Sequence, residues 1–249
     1  MTRRIFGAIT LFLLAMLGAA AAIVDADIPA AIIEETGLSD QALRLISLLN
    51  NGLFIGVAVL IGAVTAHRVG LTSLIAHKAN SAPALLTAFP VYAVLGVIMG
   101  AAVTAADQWA FANIDALRLL AETSAQQFDD TAPSLAVRFL YGGITEEVLL
   151  RWGLLSLVAW AIWAITKNRV LALFVAIPVA AFLFGAGHLP ALYTTLETVP
   201  VEMIVRVIIL NAALGIVYGI VYARNSLEAA MVTHAATHVG MLSAASYLS

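Results

Sequence analysis

Three short motifs set ionisable side chains inside otherwise apolar stretches: Glu146-Glu147-Val148-Leu149-Leu150-Arg151, Phe184-Gly185-Ala186-Gly187-His188 and His234-Ala235-Ala236-Thr237-His238. In a helix, Glu147 and Arg151 are four apart and share a face. Glu146 points about 100° away. One acid can then pair with Arg151, while the other faces a cavity as a proton acceptor. The structural alternative is an interfacial salt bridge where the helix leaves the membrane. In the second motif, two glycines and an alanine allow a backbone or a substrate to approach closely, and Pro190 ends the helix soon after. Here the alternative is a histidine at the outer interface, satisfied by water. In the third motif, positions i and i+4 put two imidazoles on one face, a spacing that suits metal ligation or a paired donor site. Position 235 is Ala, so this is not the His-Glu-x-x-His signature. A helix–helix hydrogen-bonding pair is the structural alternative, yet such pairs contribute only ~0.6–2 kcal/mol in membranes.

The setting makes these residues costly. The chain has 249 residues, 62% hydrophobic and 11% charged. Soluble domains are about 45–50% apolar and about 25% charged. The fold class is therefore all-α: a polytopic transmembrane helix bundle forming a single domain over 1–249. A charge at the bilayer centre costs from ~3 kcal/mol to ~10 or more, so each one is a functional-site hypothesis. The absence of cysteine excludes disulfides, Cys-ligated zinc and thiol nucleophiles. A net charge of −3 gives no reason to expect a nucleic-acid partner.

Apolar runs of spanning length cover about 5–24, 45–66, 84–106, 133–166, 170–188, 203–223 and 226–247. With a cytoplasmic N-terminus, the inner segments hold Arg3, Arg4, Arg68, Lys78, Lys167, Arg169 and Arg224. The outer segments hold only Arg44 and Arg118 with nearly all the acids, which supports seven spans. Met1–Ala22 also reads as a signal peptide, whose removal leaves the remaining topology unchanged. The run 133–166 would be about 51 Å long as one α-helix, against a ~30 Å core. It must project or break near Gly153, the latter giving eight spans. Residues 107–132 read as a surface helix. Gly215 and Gly219 form a small-residue face, and Ser226 caps the last helix. Glu228 is read as complementing that helix dipole. Arg138 and Arg206 are read as snorkelling, and His67 and His77 as basic-loop residues facing lipid.

Taken in order, Glu-Glu-x-x-x-Arg, Phe-x-x-x-His and His234 after a Gly-x-x-x-Gly helix resemble the CPBP family. These are the CAAX prenyl-protease-like intramembrane proteases and their bacteriocin-immunity relatives. The resemblance covers residues 133–247 as a catalytic core of the last four helices; the spans in 1–132 are generic. It implies that Glu146 activates water and that His188 helps hold it. It implies that Glu147 and Arg151 brace the site, with Phe184 in support, and that His234 and His238 hold the site or meet the oxyanion. The family usually has Asn or Asp where this chain has His238. His188, His234, His238 and Glu146 also make a set for a divalent metal such as zinc; water activation without metal uses the same residues. The implied function is an intramembrane endopeptidase of a bacterial-type plasma membrane. Its partners would be membrane lipid and a membrane-associated or prenylated peptide or protein. The competing functions are a catalytically weak scaffold or immunity factor and a proton-coupled transporter. By counting along the spans, Glu146 and His238 fall at mid-depth, but His188 falls near the outer boundary.

Overall fold

The computed structural model describes residues 2–76, 86–130, 133–196 and 198–248. His77 and Lys78 lie outside the described residues. Within them, the only regular structure is helix: α1 Thr2–Asp25, α2 Ala30–Thr36, α3 Asp40–Thr65 with a 3₁₀ turn Ala66–Val69, α4 Phe89–Asn113 and α5 Asp115–Asp130. Next come α6 Val137–Thr166, α7 Arg169–Ala186, α8 Leu189–Thr195, α9 Val201–Arg224 and α10 Leu227–Leu248. Among the described residues six helices are long and apolar enough to cross a membrane. The seventh, α10, has 22 residues but carries Glu228, Thr233, His234, Thr237 and His238. Its polarity is tolerated because it is enclosed, packing most closely against α4 and also against α6 and α9.

The helix ends follow from local chemistry. The Ser39 hydroxyl accepts from Ala42 N (3.2 Å), and the Asn168 side chain accepts from Leu171 N (3.0 Å). Ser226 accepts from Ala229 N (3.2 Å), capping α10 as expected. Lys167, at φ 54°, turns α6 tightly into α7.

The eight-span alternative is not realised, because α6 runs through Gly153 without a break. From Val137 to Leu155 it is wound with i→i+5 bonds, which place more residues in each turn and shorten the helix. The winding compacts α6 without breaking it. Gly153 serves packing instead: a Cβ there would lie 2.7 Å from the Ala58 side chain on α3. Thr145 donates to Ala15 O (2.7 Å), tying α6 to α1. The expected surface helix splits in two. α4 extends to Asn113, and α5 buries Leu117 and Leu120 against Leu196, Met203 and Val207.

Several polar residues play other parts than the sequence indicated. Arg206 does not snorkel; it forms an ion pair with Asp107, joining α9 to α4. The Glu228 carboxylate accepts from Ser73 Oγ (2.6 Å), Leu74 N (2.9 Å) and Ile75 N (3.1 Å), fixing the loop after α3. Arg169 donates to Val69 O (2.8 Å) and Ala223 O (3.4 Å), so it ties three turns together.

The α4–α10 contact is backbone against backbone. A Cβ on Gly96, Gly100 or Gly240 would fall 2.2, 2.1 or 2.1 Å from the Thr233, Thr237 or Val97 carbonyl oxygen. Overpacking of this kind costs about 1–3 kcal/mol. Gly96→Ala is therefore expected to lower the thermal unfolding midpoint in detergent. Gly52→Ala, whose Cβ would meet only Met16 at 3.6 Å, is expected to leave it nearly unchanged. Equal midpoints for the two variants would overturn the packing argument.

Candidate active site

The side chains of Glu146, Glu147, Arg151, Phe184, His188, His234 and His238 converge from α6, the end of α7 and the turn after it, and α10. Glu147 and Arg151 are nearly inaccessible, with side chains 0% and 1% exposed. Their charges meet at 3.2 Å (Arg151 Nη1 to Glu147 Oε1). Arg151 Nη2 also donates to Gly215 O (3.2 Å). The guanidinium lies 4.7 Å from the Phe184 ring centre and 5.1 Å from that of Tyr218. A buried cation is thus matched by a carboxylate, a carbonyl and two π-faces.

The same Glu147 oxygen accepts from His234 Nδ1 at 2.8 Å. That bond fixes the tautomer: with Nδ1 carrying the proton, a neutral His234 presents an Nε2 lone pair. His188 is fixed in the same way, because its Nδ1 donates to the Phe184 carbonyl at 2.8 Å. Both Nε2 atoms face Glu146. His234 Nε2 lies 3.8 Å from Oε2 and His188 Nε2 lies 4.0 Å from Oε1. The bond to Phe184 also holds the His188 ring toward Glu146. Helix α7 ends at Ala186, two residues short of the histidine, and the ring folds back over the preceding turn. Pro190 does not end α7; it sits in the first turn of α8. Of the two glycines, Gly185 meets the Ile208 carbonyl of α9, whereas a Cβ at Gly187 would meet only its own helix.

On α10 the imidazoles of His234 and His238 stack at 5.2 Å and 26°. Tyr218 stacks on the other side of His234 at 4.4 Å and 18°, making a ladder of three rings. Phe184 places its edge against His188 (4.8 Å) and His234 (5.8 Å). His238 differs from its neighbours: both of its ring nitrogens are buried without a hydrogen-bond partner. Gly142 makes room for it, since a Cβ there would lie 2.7 Å from His238 Nε2. In front of Glu146 is a cavity of about 140 Å³, lined among others by Tyr141, Asn211, Tyr218 and Thr237.

Tyr218 was missed in the sequence, although its place between Gly215 and Gly219 put it on the tightly packed face of α9. Asn211 reaches the cavity wall while donating to Val207 O (2.9 Å).

Donors around one tetrahedral zinc lie roughly 3.3 Å apart for bonds of about 2.0–2.1 Å. Glu146 meets the two imidazoles at wider spacing and through different oxygens. Among the described residues no three His, Asp or Glu side chains gather as an ion-binding set. As placed, these residues do not match the spacing of a zinc site.

Residues 129–240 match the sequence profile described as type II CAAX prenyl endopeptidase Rce1-like. That part of the chain is similar to this family. The match takes in all three motifs. At the family level it supports a CAAX-type intramembrane protease, in keeping with a multi-pass membrane protein. No curated protein and no solved structure matches the chain.

The Rce1-like region owes its central brace to one buried ion pair. Removing one partner of such a pair costs about 3–5 kcal/mol, because the other charge is stranded. Arg151→Met is therefore expected to destabilise the protein strongly in detergent unfolding. The double variant Glu147→Gln/Arg151→Met should recover part of the loss. A double variant that loses as much as the sum of the two single variants would show that the pair does not act as a unit.

Proposed function

We propose that the protein is an intramembrane endopeptidase of the glutamate type, with Glu146 as the base that activates water. The observation that carries this reading is the pair of imidazole Nε2 atoms turned toward Glu146, each locked by a bond from its Nδ1. Separations of 3.8 and 4.0 Å are too long for direct hydrogen bonds and short enough for a bridging water. Such a water gives one hydrogen to Glu146 and directs the other toward an imidazole lone pair. Its oxygen is then free to attack a peptide carbonyl.

The remaining steps use groups already in place. As the water oxygen bonds to the carbonyl carbon, its proton passes to Glu146 and the carbonyl oxygen becomes an oxyanion. His238 meets that charge, because its N–H is the one imidazole donor of the site not already engaged. This is how a histidine serves where the family usually carries an amide or a carboxyl. Collapse of the tetrahedral intermediate breaks the C–N bond, and Glu146 returns the proton to the leaving amine. The products are a new carboxylate and a new amine. The enclosed site strengthens each of these electrostatic interactions. Glu147 and Arg151 act only by holding His234 and the ring ladder in position. The substrates we propose are membrane-associated peptides or proteins, including prenylated ones, with lipid as the surrounding partner.

Glu146→Gln is expected to abolish peptide cleavage while leaving the elution profile and thermal midpoint intact. His188→Ala and His234→Ala should each lower kcat/KM by about 10²–10⁴. Cleavage by the Glu146 variant at the wild-type rate would exclude this mechanism in favour of a scaffold role. His238→Ala should lose about 10²–10³ in kcat, the cost of removing one oxyanion donor, and His238→Asn should restore most of it. Stoichiometric zinc in active purified protein, with activity lost to chelators and regained with zinc, would replace the glutamate reading by a metal one.

A further inference from the structure

Tyr218 holds its ring tightly and leaves its hydroxyl idle. The ring is fully buried on α9, stacked on His234 and packed against the Arg151 guanidinium. Among the described residues its hydroxyl makes no hydrogen bond. Thr237 is its polar neighbour, and the Thr237 hydroxyl already donates to Thr233 O (2.9 Å). A buried hydroxyl without a partner costs stability, so a native protein that keeps one needs a reason for it. Tyr222, one turn further along the same helix, shows the ordinary arrangement. It is equally buried, and its hydroxyl shares a hydrogen bond with Ser156 Oγ (3.0 Å). Neither Tyr222 nor Ser156 lines the cavity in front of Glu146, whereas Tyr218 does.

The needs of a bound peptide give the idle hydroxyl a meaning. Carbonyl oxygens that enter an enclosed cavity leave their hydrogen bonds to water behind and require donors in exchange. Most donors around this cavity are spent. The Nδ1 protons of His188 and His234 go to Phe184 O and Glu147, and Asn211 gives an amide proton to Val207 O. His238 and Tyr218 are the two lining residues whose buried polar atoms have no partner. His238 meets the oxyanion in the mechanism proposed above. The two rings flank His234, with centres 5.2 and 4.4 Å from it. Residues of an extended peptide recur about every 3.3–3.6 Å, so a peptide with its scissile carbonyl at His238 carries a neighbouring carbonyl toward Tyr218.

We propose that Tyr218 is a substrate-binding residue whose hydroxyl donates a hydrogen bond to a backbone carbonyl of the bound peptide beside the scissile one. This rests on the protease reading above and adds to it an anchor that works on any side-chain sequence. The donor is completed only when substrate arrives, so the free protein carries the cost of leaving it unpaired.

The test compares full-length wild type, Tyr218→Phe, Tyr222→Phe and Glu146→Gln in nanodiscs. The probe is a fluorescent S-farnesyl peptide, with a matched series in which each backbone amide around the cleaved bond is replaced in turn by an ester, whose carbonyl is the poorer acceptor. Tyr218→Phe should keep or raise the thermal midpoint and lower kcat/KM about tenfold. Tyr222→Phe should do the reverse, with a lower midpoint and kcat/KM within about twofold of wild type. One ester beside the cleaved bond should lower kcat/KM severalfold in wild type and have little effect in Tyr218→Phe, which identifies the carbonyl that Tyr218 meets. Wild-type kcat/KM in Tyr218→Phe, or ester effects undiminished in that variant, would overturn the proposal. So would a Tyr218→Phe midpoint that falls as in Tyr222→Phe, or a failure to fold, since either makes the hydroxyl structural. The protease reading fails separately, if Glu146→Gln cleaves at the wild-type rate or wild type cleaves no peptide. Anisotropy of the labelled peptide then still reads the anchor: a Kd weakened about tenfold in Tyr218→Phe keeps it, and an equal Kd overturns it.

Discussion

Glu147 and Arg151 place two full charges where almost no solvent reaches them, and the rest of the site is arranged around making that tolerable. Each charge is matched more than once. The carboxylate oxygen that meets Arg151 also receives the His234 proton, and the guanidinium takes the Gly215 carbonyl and two aromatic faces as well. Because these partners come from three other helices, Phe184 from α7, Gly215 and Tyr218 from α9 and His234 from α10, the ion pair acts as the point to which α7, α9 and α10 are registered against α6. The orientation of His234, and through stacking those of Tyr218 and His238, follow from it.

Close helix packing supplies the complementary constraint. Where α10 meets α4, glycines leave no side chain between the backbones, so α10 has little freedom to slide or rotate. On the opposite wall, Gly142 lets α6 approach the imidazoles directly, and Gly143 brings it against Ala235 of α10. The i→i+5 winding of α6 over this stretch widens the helix where both acids and Arg151 must be presented. Such winding is uncommon and is found disproportionately at functional sites.

Much of this was legible in the sequence, and for a physical reason. Ionisable residues in lipid are so costly that their positions alone marked Glu146, Glu147, Arg151, His188, His234 and His238. The i,i+4 spacing gave the Glu147–Arg151 pair correctly, and Gly215–Gly219 marked the close approach of α9. What could not be read was anything set by three-dimensional placement. His188 looked too shallow because counting along a span assumes a straight helix, whereas the chain turns and the ring folds back. Arg206 looked free because its partner Asp107 lies 99 positions away. Glu228 was credited to its own helix, yet its acceptors serve a loop over 150 residues earlier. Tyr218 carried no polar motif at all; only stacking reveals it.

The small volume in front of Glu146 has a kinetic consequence. That space, about 140 Å³, holds few waters. A peptide entering it must expel nearly all of them while one stays behind to be consumed. On the glutamate mechanism proposed above, each turnover consumes a water, and the next begins only when another has entered the bundle. Hydration of the cavity, rather than bond cleavage alone, then becomes a step that can limit the rate, and solvent access along the walls becomes as much a part of the catalyst as the base itself.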